Sequence, residues 1–246
     1  MRLITIPISH YCERARWALE HCRIPFVEEQ HLQVFSGRRT KALGARRFVP
    51  VLVGDGLLLK DSADILDWAD RGAAADRKLY PTDPEARAEV SAFESPLAAV
   101  FGVEARRIAY DTLLPHPSLL LKYNAGQAPL HERFLVRLGF PWMAHKIRDH
   151  LHIHPEEVAT AHRLLDDAFD RVARQLDGRR YLFGDTFTAA DLTFSALAAI
   201  LIWPPEYGVP VPTLDEMPDA VRAPVLRWRA HPAGQHALRM FAEHRR

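Results

Sequence analysis

The run Ser9-His10-Tyr11-Cys12-Glu13-Arg14-Ala15-Arg16 holds the residues in this chain whose spacing could do chemistry. It follows the apolar Leu3-Ile4-Thr5-Ile6-Pro7-Ile8 and reads as a strand, a short polar turn and the start of a helix. Backbone N–H groups at a helix start are unpaired and the helix dipole is positive there, so the position favours an anion. A thiolate suits it well. The sulfur could be that of Cys12 or one brought by a thiol ligand, with the Ser9 hydroxyl as a hydrogen-bond donor beside it. Cys12 lies on the apolar arc Cys12, Ala15, Ala18, Leu19 and Cys22, where a buried, inert thiol is the ordinary outcome. Ser9 could also serve simply as the helix cap.

The elements that must position this turn alternate between strand and helix signals over the first 75 residues or so. After the strand at 3–8, residues 12–23 predict a helix and 26–32 a second strand, parallel to the first because a helix joins them. Residues 33–48 are polar and basic, and read as irregular or briefly helical. Gly54-Asp55-Gly56 between two apolar runs is a strong hairpin signal, and a helix at 62–70 closes the order β-α-β-(α)-β-β-α. The stretch 76–84, with two prolines and no periodicity, reads as a linker. Beyond it the pattern is helical: 85–114, broken near Pro115 and Pro117, then 130–151, 155–176, 219–230 and 232–243. Thr188 and Asp191 stand in capping-box register before the apolar run 192–203, which predicts a fully buried central helix.

Composition removes several classes of function. The chain has 246 residues and a net charge of +1, so no overall charge excess points to nucleic acid or an anionic membrane. No apolar stretch reaches the roughly 20 residues of a spanning helix, and a strand signal at the start leaves no room for a signal peptide. Cys12 and Cys22 would lie about 15 Å apart along one helix, too far for a disulfide, which suits a cytoplasmic protein. His145, His150, His152 and His154 read as solvated or packing residues rather than metal ligands, and no metal is expected. The pairs Arg38-Arg39 and Arg106-Arg107 read as solvated surface.

The pattern is similar to the cytosolic glutathione transferase family, in its serine-type, bacterial-like form. The stretches that carry the resemblance are the Ser9–Arg16 turn, Val49-Pro50-Val51-Leu52, Asp61-Ser62-Ala63-Asp64-Ile65, and Gly184 through Asp191. It implies a thioredoxin-like α/β domain at 1–75 that binds glutathione, a linker at 76–84 and an all-α substrate domain at 85–246. It further implies that Ser9 stabilises the thiolate of glutathione, with Tyr11 and Cys12 bordering the bound tripeptide. A cis Pro50 would turn the Val49 backbone toward the ligand. Ser62 at a helix start would seat the γ-glutamyl carboxylate and Asp61 balance the ammonium. Arg47-Phe48 stand where the family often has Gly and a basic residue, so Lys41, Arg46 or Arg47 is left to meet the glycyl carboxylate. The second substrate would be a small hydrophobic electrophile or a peroxide, seated near Phe101, Tyr110 or the Trp142 region. The resemblance also implies a detoxifying, cytoplasmic homodimer, with Trp17 meeting either the helical half or a second subunit. Two alternatives stand beside it: a glutathione-dependent thiol reductase or peroxidase using Cys12, and a non-catalytic glutathione- or partner-binding member.

Overall fold

The computed structural model describes residues 1–126 and 128–245. Strand β1 (Arg2–Thr5) leads through a short turn into α1 (His10–His21), followed by β2 (Val27–Gln30), α2 (Gln33–Ala42), β3 (Val51–Gly54), β4 (Leu57–Leu59) and α3 (Ser62–Gly72). The sheet order is β2-β1-β3-β4, with β2 parallel and β3 antiparallel to β1. Asp55 (φ 48°) and Gly56 (φ 77°) make the β3–β4 turn, the left-handed pair that a two-residue hairpin requires. The segment 33–48, expected to be irregular or briefly helical, contains the ten-residue α2.

The rest is helical. Helix α4 (Pro84–Val100) runs through a π-helical turn (Phe101–Ala105) directly into α5 (Arg106–Leu113). Then come α6 (Pro117–Asn124), α7 (Leu130–Leu138), α8 (Phe140–His150) and α9 (Pro155–Leu176). Helices α10 (Ala189–Ile202), α11 (Asp219–Ala230) and α12 (Pro232–His244) follow. Pro117 was expected only to break a helix. Instead it occupies the first turn of α6, where a missing N–H costs nothing. The expected helix at 130–151 is two, divided at Gly139. In α10 every residue is buried, and the Asp191 carboxylate accepts from both the N–H and the hydroxyl of Thr188.

Helix α1 is packed between α3 and the central α10, and its residues 12–19 are all buried. Its charged residues are therefore interior: Glu13, Arg14 and Arg16 are each at most 2% exposed. Such charges persist in a low-dielectric interior only if they are matched. Arg14 donates to Glu94 of α4 at 3.2 Å, and Glu94 also accepts from Thr193 of α10 at 2.6 Å and from the Tyr80 hydroxyl. Glu13 accepts from Arg16, from Arg245 at 2.6 Å and from the backbone N–H of Gly208. Arg16 reaches Glu28 of β2 as well. Trp17 meets the helical half, stacking on Phe187, packing against the tilted ring of Phe241 and donating its indole N–H to the His244 carbonyl.

Removing one partner from such a pair strands the other. Glu94→Ala is expected to lower the unfolding free energy by about 3–5 kcal/mol in a denaturant titration. The double change Glu94→Leu with Arg14→Met should recover most of that loss. A second seam contact carries a pH dependence. His31 lies between Glu29, at 3.0 Å, and Glu132 of α7, at 2.6 Å. Burial pulls its pKa down, but the two carboxylates outweigh that and hold it above the usual imidazole value. The contribution is complete below about pH 6.5, the unfolded value, and is lost as pH rises through the folded one. The melting-temperature difference between wild type and His31→Gln should therefore shrink from pH 6 to pH 8.

Candidate functional site

The start of α1 opens onto a cleft between the sheet and the helical half. Ser9 caps the helix, its hydroxyl oxygen accepting from the Cys12 N–H at 3.4 Å. The peptide before it is fixed from across the molecule, because Tyr207 donates its hydroxyl to the Ile8 carbonyl at 3.2 Å. Ser9, His10 and Tyr11 form one wall together with Arg47, Phe48 and Val49 from the segment before β3. The opposite wall comes from α5 and α10, with Arg106, Ala109, Tyr110, Leu113, Ile200 and Trp203.

Of the residues expected at a site, Ser9, Tyr11 and Val49 meet on this cleft. The Val49–Pro50 bond is cis and Pro50 is buried. The ladder with β1 ends at Val51, so Val49 lies outside it. Asp61 caps α3 by accepting from the Ala63 N–H at 2.8 Å, and its carboxylate is near enough to Tyr11 to influence that hydroxyl. Ser62 opens α3 with a buried hydroxyl that has no hydrogen-bond partner among the described residues. Of the basic candidates, Arg47 faces the cleft, whereas Lys41 and Arg46 are not among its lining residues.

Cys12 is beneath the site rather than on it. It is fully buried, and burial pushes its thiol up to about 11 against the opposing pull of Ser9, the Ile6 backbone and Arg16. At neutral pH it is a thiol. Cys22, likewise free and buried, is also held at about 11, first by burial and then by Asp70. Two of the expected second-substrate residues lie elsewhere: Phe101 is in the core against Phe169 and Phe194, and Trp142 is 62% exposed on α8. Tyr110 does line the cleft.

Two more residues line this cleft: His10, which from its place in the turn could border a ligand or lie on the surface, and Arg106. His10 is 1% exposed and stacks on Tyr11 with ring centroids 4.7 Å apart. Burial, then the nearby Arg106 charge, lower its pKa to about 3, so the ring is neutral. Arg106, expected on the solvated surface, is half-buried on the cleft, with its Nε donating to the Gly102 carbonyl at 2.6 Å. Arg107 is half-buried as well, paired with Glu104 and the Leu151 carbonyl. Nothing in the local sequence marks the π-helical turn at Phe101–Ala105 that places Arg106 here. One extra residue in a turn rotates all that follows by about 100°, and such turns gather at functional sites.

The family model for the glutathione S-transferase N-terminal domain matches residues 8–71, and that for the C-terminal domain matches residues 155–231. Together they span more than half of the chain, which belongs to the glutathione S-transferase family. Its fold is similar to the Methylobacterium radiotolerans glutathione S-transferase solved with glutathione sulfonate (19% identity, 96% of this chain and 93% of that one, TM-score 0.54). It is also similar to the Methylobacillus flagellatus glutathione S-transferase with glutathione bound (15% identity, 96% and 98%, TM-score 0.55). A third is the theta-class enzyme of Xanthomonas axonopodis pv. citri, with glutathione bound (19% identity, 96% and 95%, TM-score 0.52). At these identities the likeness is one of fold. No curated protein matches the chain.

Gly102 in the π-helical turn leaves room for the Tyr11 hydroxyl. A Cβ there would overlap the Tyr11 hydroxyl, which now donates to the Ala98 carbonyl at 3.1 Å. Gly102→Ala is expected to displace the Tyr11 ring at a cost of about 1–3 kcal/mol in stability. Chemical denaturation gives the cost, and Tyr11 ring resonances in the spectrum of the variant report the displacement.

Proposed function

We propose that the chain is a glutathione transferase in which Ser9 holds the sulfur of bound glutathione as the thiolate. The single observation that carries this reading is the contrast between two side chains of one helix turn. Ser9 lines the cleft, and its oxygen accepts the cap bond, which leaves its own proton to donate. Cys12 is sealed below as a neutral thiol. An anionic sulfur competes better than a neutral thiol for the Ser9 proton. The nucleophile then comes with the ligand, which disfavours a reductase built on Cys12.

The remaining donors suit the rest of the tripeptide. The N-terminus of α3 offers the Ser62 N–H and its unmatched hydroxyl to the γ-glutamyl carboxylate, with Asp61 balancing the ammonium. The Val49 backbone beside the cis bond pairs with the cysteinyl unit, and Pro50 maintains that geometry. Tyr11 borders the ligand, Cys12 contributes only its backbone N–H to the cap, and Arg47 meets the glycyl carboxylate. In this scheme residues 1–75 are the glutathione-binding unit, 76–84 the linker and 85–246 the substrate unit. Assembly as a cytoplasmic homodimer accords with it, and no helix among the described residues is long and apolar enough to cross a membrane.

The chemistry is thiolate generation plus proximity. The bound thiol gives its proton to solvent, and the thiolate attacks an electrophilic carbon. A C–S bond forms as the bond to the leaving group breaks, the electron pair departing with that group. With a peroxide, the same thiolate attacks the hydroxyl-bearing oxygen, and the O–O bond breaks with its electron pair leaving on the other oxygen, which takes a proton from solvent to depart as the alcohol or water. A second glutathione thiol then converts the sulfenic product to the disulfide and water.

Ultraviolet absorbance of the bound thiolate tests this directly. A thiol held at a pKa of about 6.5 is roughly 75% ionised at pH 7, against about 3% for a free thiol at about 8.5. Ser9→Ala is therefore expected to remove most of the thiolate signal and about 25-fold of kcat/KM with a neutral electrophile. Cys12→Ala should preserve both. Loss of activity in Cys12→Ala with Ser9→Ala unaffected would overturn the assignment.

A further inference from the structure

The cleft carries positive charge without an internal counter-charge. Among the described residues its lining includes Arg47 and Arg106, and no aspartate or glutamate. Other arginines near α1 are matched: Arg14 by Glu94, Arg16 by Glu13 and Glu28, and Arg107 by Glu104. Arg106 has no carboxylate partner among the described residues. Its Nε is committed to the Gly102 carbonyl of its own helix, which aims the guanidinium and leaves its terminal nitrogens to the cleft. A half-buried guanidinium loses hydration, and that loss is recovered when an anion supplies hydrogen bonds in return.

Two unspent donors stand beside it. His10, 1% exposed on the same cleft, has an Nε2 with no hydrogen-bond partner among the described residues. In the neutral ring that atom can carry the N–H. The Tyr110 hydroxyl oxygen accepts from Gln33 at 3.3 Å, so its proton remains free to donate. Around these polar groups the wall is apolar, formed by Ile8, Ala109, Leu113, Ile200 and Trp203. A ligand that satisfies both features has a flat apolar body bearing an anion.

We propose that Arg106, with His10 and Tyr110, seats a carboxylate of the second substrate, which is therefore an anionic electrophile rather than a purely hydrophobic one. This rests on the glutathione reading above and deepens it. Arg106 belongs to the helical half, whereas the groups assigned to glutathione belong to the sheet half. The π-helical turn is what delivers it. Without that extra residue, α5 would present a different face to the cleft.

Glutathione itself has two carboxylates, so the test must separate them from one on the substrate. S-benzylglutathione and S-(4-carboxybenzyl)glutathione differ only by a carboxylate on the group that stands for the transferred electrophile. Their affinities for the full chain can be compared by titration calorimetry. Wild type is expected to bind the carboxylate analogue at least about tenfold more tightly, the worth of one charge-assisted hydrogen bond. Arg106→Met should bring the ratio of the two affinities to about one, and Arg106→Lys should retain part of the preference. Equal affinities in the wild type overturn the proposal, independently of how any variant folds. So does an Arg106→Met variant that weakens both analogues by the same factor, the result if Arg106 holds a carboxylate of glutathione. Either outcome leaves glutathione binding standing. Failure of both analogues to bind wild type overturns the glutathione reading and this one together.

Discussion

A single carboxylate at the centre of the molecule constrains much of what surrounds it. Glu13 is wholly buried in α1, and an isolated carboxylate there would be prohibitively costly. Its charge is carried by Arg16 of the same helix and by Arg245 and the Gly208 N–H from the helical half. Satisfying that one group thus locks α1 against the helical half. The lock begins one turn beyond Ser9, so the hydroxyl that faces the cleft sits on backbone with little freedom to shift. Tyr207, one residue before Gly208, holds the Ile8 carbonyl and fixes the same turn from its other side.

The cleft follows from that seam. One wall is the start of α1 and the chain before β3, rich in backbone and hydroxyl donors. The other is α5 and α10, mostly apolar with one aimed guanidinium. The two walls differ in kind because they come from different architectures. A sheet half exposes strand ends and helix N-termini, which suit a polar peptide. A bundle exposes helix faces, which suit an apolar body. The thiol of Cys12 is buried beneath them, and the same packing that positions Ser9 denies that sulfur the solvation its anion needs.

Local signals were enough for what is locally determined. The Ser9 cap, the Gly54-Asp55-Gly56 hairpin, the full span of α9 and the Thr188–Asp191 box are each set by neighbouring residues, and each is legible as written. What depends on distant parts of the chain was not. Glu13, Arg14 and Arg16 spell a solvated helix face, because their partners Glu94 and Arg245 lie 80 and 232 residues away. Arg106 and Arg107 likewise look like ordinary surface charge until a π-helical turn rotates one of them onto the cleft. Pro117 shows a third kind of ambiguity. A proline can end one helix or begin another, and here it begins α6.

Gly208 fixes one more property. A side chain there would collide with Arg245, Arg16 and Glu13 together, so the loop after α10 must bring bare backbone to α1. The α/β half consequently has no autonomy. Excised from its helical companion, it would carry an incompletely neutralised Glu13 and an orphaned Arg14 at the root of its own ligand-facing turn. Modular exchange of this half with that of a relative would succeed only where the incoming first helix brings a carboxylate to meet Arg245 and the Gly208 loop, and a cation to meet Glu94.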